Sequence, residues 1–301
     1  MFDIIQVKKS AGDKIVDGVL YIAAAIIMLA TIYPFWTQIV ISLDGTGADG
    51  AAYASGFILL PEQLSFESYK LAFKFDALWQ GYWNTIVRTV IGVILAVLLT
   101  SITAYPLAKR DLPWNRVFTG IILFTMLFGG GTIPNYLLIK ELGMYNTIWA
   151  LVIPGMVGAF SVLIMRNFFR EIPAEVEESA RVDGAGYLRI YTQIVLPLSK
   201  PVLATVALWV GVGHWNAWFD SMIYMSDPDK QVLQVVLRKI VIQNNMTDIS
   251  AVMQHIGNQT TFSGRQLQAT VIMFSIIPMV IVYPFIQKYF VKGVMVGAVK
   301  G

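Results

Sequence analysis

Apolar residues run along this chain in long blocks, and the polar residues collect between them. Val16 to Ile41 is almost wholly apolar, and further blocks extend from about Tyr82 to Ala108, Val117 to Ile139, Thr147 to Phe168, Pro201 to Met222 and Leu267 to Tyr289. Each reaches the roughly 20 residues that a bilayer requires. The pattern therefore predicts an all-α membrane protein with six transmembrane helices within residues 16–290. The first block is longer than the core of about 7–15 residues in a signal peptide, so it reads as a retained span, kinked at Pro34. Outer loops are expected at about 44–81 and 225–266, the first packing as short helices, with an N-terminal segment 1–15 and a tail 291–301 at the ends.

The most strongly charged connection is 170–198. Pro173 suits the first position of a helix, Glu175, Glu177 and Glu178 complement the positive end of its dipole, and Asp183-Gly184-Ala185-Gly186 can end it in a turn. A second helix follows, with Tyr187, Leu188, Tyr191, Ile194 and Val195 forming an apolar stripe opposite Arg189 and Gln193. The sequence thus predicts a helical hairpin between two spans.

Composition narrows the class. Hydrophobic residues make up 56% of the chain and charged residues 14%, with a mean hydropathy of +0.63, against about 25% charged in a soluble domain. Without Cys there is no disulfide framework, thiolate zinc site or thiol nucleophile. His214 and His255 are too far apart in sequence to suggest a self-contained metal site. There is no phosphate-cradling G-x-x-x-x-G-K-[ST] loop, so the chain is not expected to bind ATP by that route, and no nucleophile and base stand in a defined setting. A net charge of +3 is too small and dispersed to suggest nucleic acid as a partner.

Charge also orients the chain, because Lys and Arg are retained on the cytoplasmic side. With both termini inside, the cytoplasmic set is Lys8, Lys9, Lys14, Lys109, Arg110, Arg116, then Arg166, Arg170, Arg181, Arg189 and Lys200 in and beside the hairpin, and Lys288, Lys292 and Lys300, which together outnumber Lys70, Lys74, Lys140, Lys230, Arg238, Lys239 and Arg265 outside. This argument places the Gly184 turn in the cytoplasm without using any motif.

The hairpin carries a pattern as well. Glu178-x-Ala180, Gly184 and Ile194-x-Leu196-Pro197 resemble the EAA loop of ABC importer permeases, with Ser179 in place of the central alanine. The runs Phe128-Gly129-Gly130-Gly131-Thr132-Ile133-Pro134, Asn146-Thr147-Ile148-Trp149-Ala150-Leu151 and Tyr289-Phe290-Val291-Lys292-Gly293-Val294-Met295 are similar to carbohydrate-uptake permeases of the complex-polysaccharide and maltose type. The resemblance implies a type I importer permease fold and a cell-membrane, multi-pass location. It implies as partners a second homologous permease, two ATP-binding-cassette ATPase subunits that hold ATP and Mg, and an extracytoplasmic solute-binding protein. It also implies that the hairpin couples ATPase closure to alternating access, that Lys300-Gly301 is the counterpart of a tail reaching the ATPase, and that the chain itself is no enzyme.

Polar and aromatic residues inside the spans are the candidate substrate path, since polar groups in hydrocarbon face protein or water. Asn216 and Asp220 lie on one helical face, flanked by His214, Trp215 and Trp218, a mixture suited to stacking on sugar rings and bonding hydroxyls. The same tryptophans also suit an interfacial belt, and Gly211 and Gly213 suit close helix packing. Arg88 must snorkel, pair with a carboxylate or bind an acidic sugar. Gly129 to Gly131 and Pro134 break the third span, beside Asn135 and Tyr136. Two other classes fit a hydrophobic chain of this kind: an ion-coupled secondary transporter using Arg88, His214 and Asp220, and a membrane-embedded enzyme. Amino acids and other small solutes are the alternative importer substrates.

Overall fold

The structure, a computed structural model, describes residues 10–46, 58–241 and 264–298. The N-terminal Lys8 and Lys9, His255 and the tail Lys300-Gly301 lie outside the described residues, as do parts of both long loops. The chain divides into two compact units, one of residues 1–74 and 246–274 and the other of 75–245 and 275–301.

In the first unit, α1 (Ala11–Leu43) begins earlier than Val16, because Ser10 stands at its N-cap with its N–H bound to Asp13 Oδ2 at 2.8 Å. Its apolar body is exposed. Its end is fixed by α2 (Glu67–Phe73), where Ser68 Oγ donates to Ser42 O at 2.8 Å. Val40, Ile41, Ile58 and Ala269 close a small apolar cluster, and Phe73 meets Phe274 edge-on at 5.0 Å.

The second unit is built around α3 (Asp76–Ala108), which starts before the expected Tyr82, with Asp76 in its first turn. Small residues mark its buried face: Gly81, Thr85, Gly92, Ala96, Thr100, Ala104 and Ala108 recur four residues apart, with one seven-residue step from Thr85 to Gly92. They let other helices approach closely. A Cβ on Gly81 would stand 3.0 Å from Leu233 Cα, and one on Gly92 2.3 Å from His214 Nε2. The opposite face, Ile86, Val90, Ile94, Leu98 and Ile102, is exposed and apolar, ending in exposed Trp79 and Trp83, as befits a lipid-facing stripe with an interfacial aromatic belt.

After α3 come α4 (Asn115–Leu127) and α5 (Thr132–Glu141), then α6 (Trp149–Val152) and α7 (Ala159–Arg170). The hairpin is α8 (Ala174–Val182) and α9 (Tyr187–Leu198), followed by α10 (Lys200–Asn216), α11 (Phe219–Tyr224), α12 (Leu233–Val241) and α13 (Gly264–Ala298). Three of the expected spans are interrupted. The third breaks at the glycines as its sequence foretells, α4 and α5 meeting at 110°. The fourth breaks over 153–158, where Pro154 precedes Gly155 at φ +75°. The fifth breaks at Ala217, whose backbone is extended (ψ 132°).

Gly12–Leu43 and Asp76–Ala108 are each long and apolar enough to cross a membrane, and the bent pairs α4–α5 and α9–α10 raise the number of candidate spans from two to as many as four among the described residues. Among the described residues, two cores hold the second unit together. At the Ala108 end of α3, Ala104, Met165, Ile190, Val195 and Val206 join α3, α7, α9 and α10. The other core gathers Ile139, Leu151, Tyr224, Val232 and Val235 from α5, α6, α11 and α12 with the turn preceding it. α12 thus occupies part of the expected 225–266 loop and is bound to the Asp76 end of α3, where Leu233 N–H donates to Thr85 Oγ1 at 2.9 Å.

Candidate functional site

The hairpin is set by its backbone. α8 follows Pro173, which serves as N-cap, one position earlier than its sequence suggests. At the other end Ala185 N–H donates to Ala180 O (2.9 Å) and Gly184 N–H to Arg181 O (3.0 Å), while Gly184 takes φ +80°. These two bonds are a Schellman cap, which needs a left-handed residue where Gly184 stands and an apolar contact between Ala180 and Ala185. Both alanines pack on the core, Ala180 buried and Ala185 partly so. The spacing of Ala180 and Gly184 is therefore the chemistry of a helix stop. Next comes α9, whose Tyr191–Val195 turn is π-helical, and it bends by 78° into α10.

The hairpin buries a different stripe from the expected one. Ile190, Tyr191 and Val195 are buried and Ile194 and Leu196 pack partly against them, whereas Tyr187 and Leu188 face outward. With Val182 at 88% exposure and Leu188 at 75%, the hairpin tip is apolar and uncovered. Glu178 and Pro197 are exposed as well. A cleft of about 490 Å³ flanks the tip, between the Ile102–Pro113 stretch and Tyr187, Leu188 and Tyr191.

Several residues to which sequence reasoning gave no such role anchor the hairpin to α3. Glu177, buried, forms an ion pair with Lys109, whose Nζ also lies 4.4 Å from the centre of the Tyr105 ring. Tyr105 packs against Tyr191 at 5.2 Å, and the Tyr191 hydroxyl meets Ser101 Oγ at 2.6 Å. Arg166 Nε donates to Leu107 O at 2.9 Å and Arg170 Nε to Ala108 O at 3.2 Å, so α7 satisfies the carbonyls left open where α3 ends. One signal for Glu177 was present: it lies three residues before Ala180 and so shares its inward face.

Further along α3, Arg88 is buried at 2% exposure and ties three pieces of chain together. Its guanidinium pairs with both carboxylate oxygens of Asp220, with Nη1 to Oδ1 at 3.2 Å, and Nη1 also donates to Ala217 O at 3.3 Å. Its Nε donates to His214 Nδ1 at 3.2 Å, which leaves the ring proton on Nε2 beside Gly92. Of the sequence alternatives for Arg88, the structure realises the carboxylate pair, and the pair spans the break in the fifth block. Arg88 is thereby committed within the protein and does not present a free cation to an acidic sugar.

The remaining candidates scatter. Trp215 is buried against Tyr82, edge-on at 6.2 Å. Asn216 is exposed, its Nδ2 donating to Val212 O at 3.0 Å, and Arg238 lies 4.0 Å over the Trp218 ring. Tyr136 stacks on Tyr224 at 6.2 Å and meets Tyr145 edge-on at 5.9 Å, while Asn135 is exposed. Among the described residues no three His, Asp or Glu side chains converge as metal ligands.

Residues 96–296 match the family described as the binding-protein-dependent transport system inner membrane component. The chain belongs to this permease family. The permease is 39% identical over 245 residues to the polygalacturonan/rhamnogalacturonan transport system permease protein YtcP of Bacillus subtilis, covering 81% of this chain and 85% of that one. It is 29% identical to the melibiose/raffinose/stachyose import permease protein MelC of the same organism, covering 94% of this chain and 96% of that one. It also superposes with a TM-score of 0.86, at 34% identity, on a chain from a solved bacterial ABC transporter involved in the import of the acidic polysaccharide alginate, covering 95% of this chain and all of that one. Its role is transport, as the permease of an ABC importer in the cytoplasmic membrane.

Proposed function

We propose that this permease moves an oligosaccharide inward, coupled through the 170–198 hairpin to a separate ATPase. The observation that carries the reading is the hairpin's geometry: a Schellman turn that fixes the angle between two short helices and leaves Val182, Tyr187 and Leu188 uncovered at its tip. Uncovered apolar residues of this size on a charged hairpin are what a protein partner covers. The distribution of Lys and Arg favours a cytoplasmic hairpin, with both termini inside and six spans in all.

In this reading a second permease completes the pathway, two ATPase subunits carrying ATP and Mg lie below, and a solute-binding protein delivers sugar from above. Closure of the ATPases moves the hairpin, and the spans exchange between inward-open and outward-open arrangements as rigid bodies. The exposed Asn216, the partly exposed Trp218 and the neighbouring Asn135 and Tyr136 are the residues best placed to meet sugar hydroxyls and ring faces. Trp215 is buried against Tyr82 and takes a packing role in this reading.

The test is purification of the tagged chain from its native membrane, identification of co-purifying ATPase and binding protein, and a ligand screen on the latter with uronate-containing and neutral oligosaccharides. The reading expects both proteins to appear and at least one of the two sugar classes to bind. Uptake driven by a proton gradient with no ATPase present, or binding of amino acids alone, contradicts it.

A further inference from the structure

Ser101 and Tyr105 share one face of α3, Lys109 follows at its C-cap, and each of the three is bound to the hairpin. Ser101 meets the Tyr191 hydroxyl, Tyr105 packs against the Tyr191 ring, and Lys109 pairs with Glu177. The ion pair brings opposite charges together on this face. Lys109 is the C-cap of α3 and Glu177 lies in the first turn of α8, so each charge also complements the dipole of its own helix. Both side chains are largely shielded, at 19% and 11% exposure, and Arg181, 4.0 Å from Glu177, closes the outer side. A shielded ion pair costs desolvation and is weak evidence for stability alone. Its use must be sought in what it connects.

We infer that Lys109 and Glu177 form the strut through which movement of the hairpin is imposed on α3. This rests on the reading that the hairpin docks on an ATPase. Lys109 and Glu177 are positioning residues, since neither belongs to the exposed tip. α3 is unbroken from Asp76 to Ala108, so force applied at Lys109 travels along a single helix to Arg88, which holds α10 and α11 together at the break beside Asn216 and Trp218. By contrast, α4–α5 and α9–α10 are broken, and a push on either is taken up at its bend.

The experiment uses the whole importer, reconstituted with its ATPase and binding protein, and reads sugar uptake per ATP hydrolysed. Lys109→Met and Glu177→Gln should each lower that ratio about tenfold, and the double variant should be no worse than either single one, because the two act as a unit. Lys109→Arg should keep the ratio near that of the parent. Co-purification of the ATPase should persist in all four. If single variants transport per ATP like the parent, or if the double loss equals the product of the single losses, the strut is refuted. Loss of ATPase association in the single variants alone also refutes it, since the pair would then serve only to fold the hairpin. Absence of any ATPase from the parent complex would instead overturn the underlying functional reading.

Discussion

Arg88 on α3 and Asp220 on α11 face each other in a two-pronged ion pair, yet their surroundings differ: the arginine side chain is 3% exposed and the aspartate 30%. The pair closes over the break at Ala217, whose carbonyl Arg88 also binds. A cation that could have marked a sugar site instead ties α3 to α10 and α11.

That asymmetry gives a stability prediction. Asp220→Asn strands a buried guanidinium and should cost about 3–5 kcal/mol. Arg88→Met leaves a carboxylate that still reaches water and keeps its bond from Ser221 N–H at 2.9 Å, so it should cost less. Thermal unfolding of the purified variants in detergent checks the order, and replacing both residues with apolar ones should recover part of the loss.

Gly92 predicts a suppressor. An added Cβ would lie 2.3 Å from His214 Nε2, and the ring cannot swing away without giving up Arg88 Nε. Gly92→Ala should destabilise the protein by about 1–3 kcal/mol. Gly92→Ala with His214→Ser should be more stable than Gly92→Ala alone, measured as the unfolding midpoint.

Gly184 predicts a loss without a clash. Nothing lies within 4 Å of an added Cβ there, so the penalty is conformational only, about 1–2 kcal/mol for a left-handed residue. Gly184→Val should reach the membrane normally but lose transport, with Gly184→Asn retaining more of it. Uptake compared at matched membrane levels reads the difference.

Arg166 predicts a purely structural effect. Arg166→Leu removes a charged donor from Leu107 O, and since Arg166 is only part-buried the loss should be about 1.5 kcal/mol. Thermal unfolding should fall while uptake per ATP, in molecules that remain folded, stays unchanged.

Much of this was legible in the residue pattern. The apolar blocks marked the helices, and Gly184 marked the hairpin turn because only a left-handed position explains a glycine there. The glycines before Pro134 foretold the break between α4 and α5. Other features were hidden because they depend on residues distant in sequence. Nothing near Ala217 announces that Arg88 will take its carbonyl, so the fifth block reads as continuous. Likewise Arg166 and Arg170 read as loop charges until α7 is seen to cap α3, and Glu177 is one of several acids until Lys109 is seen beside it. The hairpin stripe was shorter than expected for a local reason: Tyr187 and Leu188 form the first turn of α9 at the tip, beyond the core that buries Ile190, Tyr191 and Val195.

The chain contains no cysteine, so a single one introduced at Val182, 88% exposed on the hairpin tip, reports on that position alone. The decisive measurement is its reaction in intact membranes with a short bifunctional thiol-to-amine cross-linker, alongside a membrane-impermeant thiol reagent applied from outside. The account predicts a cross-link to an ATPase subunit, changing in yield with ATP, and no labelling from outside until the membrane is opened. Labelling from outside in sealed cells, or a cysteine that never joins an ATPase in the active transporter, would contradict it.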